Sequence, residues 1–234
     1  MKDKVAALLD SCDIEHRIEH DEFVLRRSKL RICLPPVDEE LAYLLGFLCG
    51  DGCLKKPQPR KMGGARFKIT LCFSGSERGK MHAQCICEIF KKYFHYVPRM
   101  YNKGRKGRKD WLEVEINSVV TYAYFYQLGL PVGRKYGKLR VPSVVFTKTL
   151  FREFLRGLID SDGHIAEDRR IVIVQKDMNF LVQVRELCLR LFNAKFSIPR
   201  PNSKKIGNRT YTWYYIQTFE TNQLGEFFNI NATR

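Results

Sequence analysis

The chain has 234 residues, with 41 lysine and arginine residues against 25 aspartate and glutamate residues and a formal net charge of +16. This excess favours a polyanionic partner, with nucleic acid first and an anionic membrane surface second. No apolar run approaches the ~20 residues of a membrane span and no secretory signal is visible, so we expect no membrane association and a cytoplasmic or organellar interior location. The eight cysteines and five histidines lack zinc-site spacing, which indicates free thiols in a reducing compartment.

The predicted elements follow one order twice along the chain. Residues 1–36 form an N-terminal appendage, with a helical turn near Val5 and a strand-like stretch at 23–33, closed by Pro35-Pro36. In the first half, helices are predicted at 38–51, 77–94 and 119–128, and strands at 66–73 and on both sides of a basic tip at 103–109. In the second half, helices are predicted at 150–161, 178–192 and 221–228, and strands at 170–174, 195–198 and 210–219.

This repetition predicts an α+β fold of two αββαββα half-domains related by a pseudo-twofold axis. We place the first half-domain at residues 37–146 and the second at 147–234. A repeat of this length is too long for a solenoid unit and is typical of a duplicated domain.

Both predicted half-domains begin with a helix that carries one short motif. The copies are Leu-Leu-Gly-Phe-Leu-Cys-Gly-Asp-Gly at 44–52 and Leu-Arg-Gly-Leu-Ile-Asp-Ser-Asp-Gly at 155–163. Small residues four positions apart share a helix face, so the pairs Gly46/Gly50 and Gly157/Ser161 predict two helices that cross closely.

Each motif ends in an Asp-Gly pair, at Asp51 and at Asp162. If the helices cross closely, both carboxylates emerge side by side at helix C-termini, where they repel each other and oppose the helix dipole. A divalent cation would relieve this repulsion, and Mg²⁺ prefers carboxylate and carbonyl oxygens. The alternative is a pair of structural Asp-Gly turns, which are common turn signals.

These motifs resemble those of the LAGLIDADG homing endonucleases, in the single-chain, intron-encoded form with two motifs. Residues 155–163 match seven of the nine letters and residues 44–52 match four, and the resemblance covers roughly residues 37–234. It implies a monomer with a saddle-shaped antiparallel sheet surface and the motif helices packed at the interface of the halves. It also implies an enzyme that recognises a long double-stranded DNA target through the major groove and cuts it across the minor groove.

The resemblance also assigns the catalytic and metal-binding residues. Asp51 and Asp162 would hold Mg²⁺ or Mn²⁺ with the backbone carbonyls of Gly50 and Ser161, while Lys135, Gln175 and Lys176 would position waters. Lys138 is a rival to Lys135, and His164 lies next to the second motif. The turn that corresponds to Gln175-Lys176 reads Ser74-Gly75, and the sequence ends at Arg234 before any counterpart of Lys135. We therefore expect the two DNA strands to be cut at unequal rates.

DNA contacts are expected from the polar faces of the sheets and from two basic loops. The predicted sheet-face residues are Arg66, Lys68, Thr70, Glu113, Glu115, Arg169, Lys195 and Ser197. The predicted phosphate-binding residues are Lys103, Arg105, Arg108, Arg200, Lys204, Lys205 and Arg209.

Two other functions fit the same fold. One is an intron-splicing maturase that binds its host intron RNA, since aromatic residues at 211–215 can stack on exposed bases or instead pack in the sheet core. The other is a DNA-binding regulator without catalysis, which the presence of both motif aspartates argues against.

Overall fold

The computed structural model describes residues 1–12, 14–20, 22–26, 31–59, 65–104 and 110–219. These residues form two compact units that are interleaved along the chain. The first unit comprises Met1–Val37 and Asp51–Gly133, and the second comprises Asp38–Gly50 and the chain from Arg134 onward. None of the described helices is long and apolar enough to cross a membrane. The predicted half-domain boundaries at residues 37–146 and 147–234 stay a prediction.

The first unit begins with a small α/β appendage. Helix α1 (Lys2–Ser11) is followed by a three-stranded antiparallel sheet of β1 (His16–Glu19), β2 (Glu22–Leu25) and β3 (Arg31–Cys33), in that order. The single strand-like stretch predicted at 23–33 is thus two strands. Val5, Leu9, Phe23 and Ile32 are fully buried, and α1 packs on the helix Val119–Gln127 of the same unit.

The main sheet of the first unit has the strand order β4-β7-β9-β8, all antiparallel. Its strands are β4 (Gly52–Leu54), β7 (Ile69–Ser74), β8 (Arg99–Lys103) and β9 (Trp111–Ile116), with a short pair β5 (Gln58–Pro59) and β6 (Ala65–Arg66) beside it. Helices α3 (Glu77–Phe94) and α4 (Val119–Gln127) complete this unit, and α3 packs on β7 and β9. Because strand side chains alternate, Ile69, Leu71 and Val114 are buried on one face and leave the other face polar.

The second unit repeats this order around its own sheet, β10-β11-β13-β12. The strands are β10 (Gly163–Ile165), β11 (Ile171–Gln175), β12 (Arg200–Ile206) and β13 (Arg209–Thr218). The helices are α2 (Glu39–Gly50), α5 (Lys148–Asp162) and α6 (Met178–Phe192), with a 3₁₀ turn at Ser143–Val145. The α+β fold and the repeated order of helices and strands are confirmed through β13, and the predicted helix at 221–228 lies outside the described residues.

The predicted strand at 195–198 is wrong. Lys195 and Ser197 lie in a segment without regular structure, and the strand begins only at Arg200. Ser197 donates its amide to the Gln217 carbonyl at 2.8 Å and its hydroxyl accepts the Gln217 amide at 3.1 Å, so one backbone bond holds the segment beside β13. Pro199 has no N–H to extend that pairing, which explains why an alternating sequence here does not form a strand.

Candidate metal and nucleic-acid site

The centre of the second unit is the crossing of helices α2 and α5. Asp38 begins α2, because its carboxylate accepts the Leu41 amide at 3.0 Å. A Cβ atom added to Gly46 would lie 1.9 Å from the Phe154 carbonyl oxygen, and one added to Gly157 would lie 2.0 Å from the Tyr43 carbonyl oxygen. The two backbones are therefore in direct contact, as the small residues of the motifs predict.

The same close approach continues to the C-terminal ends of both helices. A Cβ atom on Gly50, the last residue of α2, would lie 2.0 Å from the Ser161 hydroxyl oxygen and 3.2 Å from the Asp162 carboxyl carbon. Asp162 is the last residue of α5. The carbonyl end of one motif helix and the carboxylate end of the other thus meet inside the second unit.

Lys135 places a positive charge at this meeting point. Its ammonium donates to the carbonyl oxygens of Cys49 at 2.7 Å and Leu48 at 3.2 Å, and also to that of Gly50. These are carbonyls that the end of a helix leaves without an intrahelical partner, and the helix dipole favours a cation there. Lys138 is exposed, so the structure places Lys135 rather than Lys138 at the motif.

Gln175 orients the Asp162 carboxylate. Its side-chain amide donates to Asp162 Oδ2 and, at 3.3 Å, to the Cys49 carbonyl oxygen, while its own oxygen accepts the Lys176 amide at 3.1 Å. Gln175 is only 9% exposed, so these bonds fix its position. Burial raises the pKa of Asp162, and the charges of Lys135 and Lys176 oppose that increase.

These groups line an open cavity of about 820 Å³. The lining residues are Gly50, Arg134, Lys135, Tyr136, Asp162, Val174, Gln175, Lys176, Asp177, Tyr211 and Trp213. The aromatic residues Tyr211 and Trp213 were not predicted at this site from the sequence. The alternation of side chains along residues 211–215 indicates that Tyr211 and Trp213 share one face of β13.

The oxygen groups at this meeting point suit a hard divalent cation. The Asp162 carboxylate and the Gly50 carbonyl are the ligand types that Mg²⁺ prefers. The single hydroxyl proton of Ser161 is shared between the Gly157 carbonyl at 3.0 Å and the Leu158 carbonyl at 3.1 Å, and its backbone carbonyl is the predicted ligand. Within the described ranges, no three His, Cys, Asp or Glu side chains form a metal-binding group by themselves.

Asp51 follows Gly50 directly in the chain but belongs to the first unit. Its side chain is exposed, and it lies one residue before β4. A shared metal cluster with Asp162 stays a prediction.

The polar face of the first unit's sheet carries an ion-pair cluster. Glu115 is 4% exposed and accepts from Arg66 at 2.6 Å, Lys68 at 2.7 Å and Asn117 at 2.6 Å. Burial alone would raise the pKa of Glu115, but hydrogen bonds from Lys68 and Asn117 and the charges of Lys68 and Arg66 lower it overall. The sequence predicts that Arg66, Lys68 and Glu115 each contact a DNA base, whereas the structure pairs them with one another.

The other predicted residues of this sheet differ in their accessibility. Thr70 is only 3% exposed, so its hydroxyl is hardly accessible, while Lys103 is exposed and lies 4.0 Å from the half-buried carboxylate of Glu113. Arg105 and Arg108 lie outside the described residues. The DNA-binding role of this face stays a prediction.

The basic loop predicted around Arg200–Arg209 is instead a regular hairpin. In the ladder between β12 and β13, the first pair is Arg200 with Tyr215 and the last pair is Ile206 with Arg209, so only residues 207 and 208 form the turn. Arg200, Lys204, Lys205 and Arg209 are exposed on this ribbon, with Lys205 on the opposite face from Lys204. Arg169 lies in the turn before β11 with a left-handed backbone (φ 64°).

Residues 150–228 match the family model of the LAGLIDADG-like domain. Among solved structures, the chain is similar to the homing endonuclease I-DmoI in complex with DNA and Ca, with 16% identity, a TM-score of 0.55, and 79% of this chain and 84% of that chain covered. It is also similar to the homing endonuclease I-WcaI bound to its DNA recognition sequence, with 16% identity, a TM-score of 0.53, and 83% and 82% of the two chains covered.

The fold is therefore that of the LAGLIDADG homing endonucleases, and the resemblance predicted from the two motifs is confirmed. The match to the LAGLIDADG-like domain covers residues 150–228, and the chain shares the fold of the homing endonucleases I-DmoI and I-WcaI. A glutamine–fructose-6-phosphate aminotransferase of Methanocaldococcus jannaschii is 27% identical over 154 residues, which are 64% of this chain. The chain spans only 12% of the length of that relative.

Proposed function

We propose that the chain is a site-specific DNA endonuclease that depends on a divalent metal. One observation carries this proposal: the Gly50 carbonyl, the Asp162 carboxylate and the Lys135 ammonium converge at one end of a cavity that is open to solvent. A purely structural helix crossing has no need of a partly buried carboxylate at two helix C-termini. Similarity to nucleases that were solved with DNA supports the same conclusion.

Asp162 and the Gly50 carbonyl would hold Mg²⁺ or Mn²⁺ in this unit, with Ser161 contributing its backbone carbonyl and Asp51 a second carboxylate. The chemistry that the cation supplies when bound is activation of a water for attack on phosphorus and neutralisation of the charge that develops on the phosphate. Because Gln175 donates to Asp162 Oδ2, the second oxygen of that carboxylate is left for the cation. Lys135 and Lys176 line the cavity and attract the phosphate backbone.

The substrate would be double-stranded DNA, bound by a monomer. The excess of positive charge draws the duplex to the protein, and exposed basic residues such as Arg200, Lys204 and Arg209 contact its phosphates. The faces of the two sheets that lie opposite their buried cores would enter the major groove, where each base pair presents a distinct pattern. Cleavage across the minor groove follows from the resemblance and is part of this proposal.

The test is cleavage of a randomised duplex library with Mg²⁺ or Mn²⁺, in which cut molecules are recovered and sequenced. We expect the wild type to enrich one site, and Asp162→Asn or Asp51→Asn to abolish its cleavage. Asp160→Asn is the matched control, because Asp160 lies in the same helix and accepts from the Tyr43 hydroxyl at 2.9 Å, a bond that the asparagine oxygen retains. Undiminished cleavage by Asp162→Asn, or no cleavage by the wild type, contradicts the proposal.

A further inference from the structure

One face of the second unit's sheet is built from aromatic and aliphatic side chains. Strand alternation places Tyr211, Trp213 and Tyr215 on the same side of β13, and Val174 pairs with Tyr215 across β11. Together with Val172, which pairs with Gln217 on the same side, these five residues are called the aromatic face. Tyr211 is 42% exposed, and Trp213 and Tyr215 are half-buried.

Most of the aromatic face lies outside the hydrophobic core, because only Val172 among its five residues is buried. The core side of the same sheet is formed by Ile171, Ile173 and Ile216, which are fully buried. Tyr211 and Trp213 instead line the cavity that contains Asp162, so the aromatic face continues directly into the proposed active site. A large apolar surface beside a charged site points to a ligand that offers apolar groups.

Basic and amide side chains border the aromatic face along β12. Arg200 pairs with Tyr215, Asn202 with Trp213 and Lys204 with Tyr211, all on this side of the sheet. None of the side chains that β11, β12 and β13 place on this side, over the residues given above for these strands, is a carboxylate. The corresponding side of the first unit's sheet carries Glu113 and Glu115 on β9.

This difference in chemistry has a consequence for base recognition. In the major groove the only large apolar group on a base edge is the C5-methyl of thymine, whereas carboxylates accept from the N4 amino group of cytosine. Continuity with the proposed active site and the flanking positive charge favour duplex DNA as the occupant. We propose that the aromatic face, chiefly Tyr211 and Trp213, determines specificity by binding thymine methyl groups in the half-site held by the second unit.

This proposal rests on the proposed function only in requiring a duplex DNA target. Because only the second unit carries the aromatic face, the DNA target is expected to be asymmetric in composition, with thymines in the half-site held by the second unit. Removal of one buried methyl group weakens binding about fourfold, so removal of three weakens it several tens of times.

The experiment uses duplexes that the wild type selects from a randomised pool, resynthesised with deoxyuridine in place of thymine at single positions and in blocks. Deoxyuridine keeps the base pairing and removes only the methyl group. Binding is measured without divalent metal, so that cleavage does not interfere. We expect affinity to fall about fourfold per sensitive position in one half-site, and this dependence to vanish in the double variant Tyr211→Ser, Trp213→Ala.

Thr210→Ala and Thr212→Ala are the matched controls, because both threonines are exposed on the opposite side of the same strand. They should keep the full response to deoxyuridine. The proposal is overturned if the pool yields no bound duplex, if deoxyuridine has no effect, or if its effect persists in the double variant. It is also overturned if the double variant loses more affinity for a single-stranded RNA of the same sequence than for the duplex, which would indicate base stacking on RNA.

The failure of this inference can be told apart from the failure of the proposed function. Cleavage that is indifferent to the methyl groups overturns only the inference. Methyl-dependent binding without cleavage in Mg²⁺ or Mn²⁺ leaves the inference intact and overturns the nuclease activity.

Discussion

Substitution of the glycines at the α2–α5 crossing tests the geometry on which the active site depends. In Gly46→Ala the new Cβ atom would lie 1.9 Å from the Phe154 carbonyl oxygen and 2.9 Å from the Leu158 backbone nitrogen. Restoring an ordinary 3.4 Å contact requires the helices to move apart by about 1.5 Å, because the opposing atoms are backbone and have no rotamer to change. Gly157→Ala meets the Tyr43 carbonyl oxygen at 2.0 Å and predicts the same movement.

The expected cost follows from two opposing effects. Overpacking against a backbone costs about 3 kcal/mol, at the upper end of the usual range, while the better helix propensity of alanine returns about 1 kcal/mol. Each variant should therefore be about 2 kcal/mol less stable than the wild type. With a denaturant dependence of about 2 kcal/mol/M, the urea midpoint falls by about 1 M.

Urea unfolding followed by circular dichroism measures this shift, and the same samples are assayed for cleavage of the selected duplex. Gly207→Ala is the comparison, since its new Cβ atom has no neighbour within 4 Å and the only cost is a left-handed backbone (φ 57°) of about 1 kcal/mol. We expect Gly46→Ala and Gly157→Ala to lose cleavage as well, because Gly50 and Asp162 move apart. A wild-type midpoint in both variants would show that the helices do not touch.

Four further outcomes are expected. Lys135→Met should abolish cleavage and also lower the stability of the metal-free protein by about 1–3 kcal/mol, since its ammonium satisfies three helix-end carbonyls; unchanged stability would contradict that role. Gln175→Ala should slow cutting of one DNA strand about 10–100-fold, measured on strand-labelled duplexes. The wild type should already accumulate nicked DNA, because the first unit has Ser74 instead of a glutamine at the corresponding strand end, where its hydroxyl bonds to the Ser76 hydroxyl at 2.7 Å. Glu115→Gln should reduce thermal stability at neutral pH and match the wild type in strong acid, because folding lowers the pKa of Glu115. The stabilisation from its carboxylate is present above the ordinary carboxylate pKa and is lost as the pH falls through the lowered pKa. A stability difference that does not depend on pH would refute this. With about 6–10 phosphate contacts, DNA affinity should fall about 10³–10⁵-fold between 50 and 200 mM salt, and a flat salt response would exclude phosphate binding as the main source of affinity.

Features that depend on local spacing could be predicted from the sequence. Two small residues four positions apart define a helix face whatever the rest of the chain does, so the close approach of the two helices at Gly46 and at Gly157 was predictable. Lys135 was predicted only from the family resemblance, with Lys138 as a rival, and its bonds to the carbonyls at the end of α2 come from the structure.

Features that depend on partners remote in the chain could not be predicted. Lys195–Ile198 alternates as a strand does, but Pro199 has no N–H to extend the backbone bond between Ser197 and Gln217 into a ladder. The sequence predicts that Glu115 contacts a base on its own, because cross-strand neighbours such as Lys68 are set by the strand register, which the sequence does not give. The aromatic residues of β13 alternate equally well whether they face the core or the solvent, so Trp213 could be placed only by the structure.

The location of α2 has a consequence for how the protein is made. This helix belongs to the second unit and nine of its twelve residues are buried, yet its partner α5 begins only at Lys148, 98 positions after Gly50. At a synthesis rate of about 5–20 residues per second, the nascent chain carries the apolar segment of α2 without its partner helix α5 for roughly 5–20 seconds. Ribosome-bound chains that stop before α5 should therefore recruit a chaperone at α2, and slow translation between the two helices should lower the yield of folded protein.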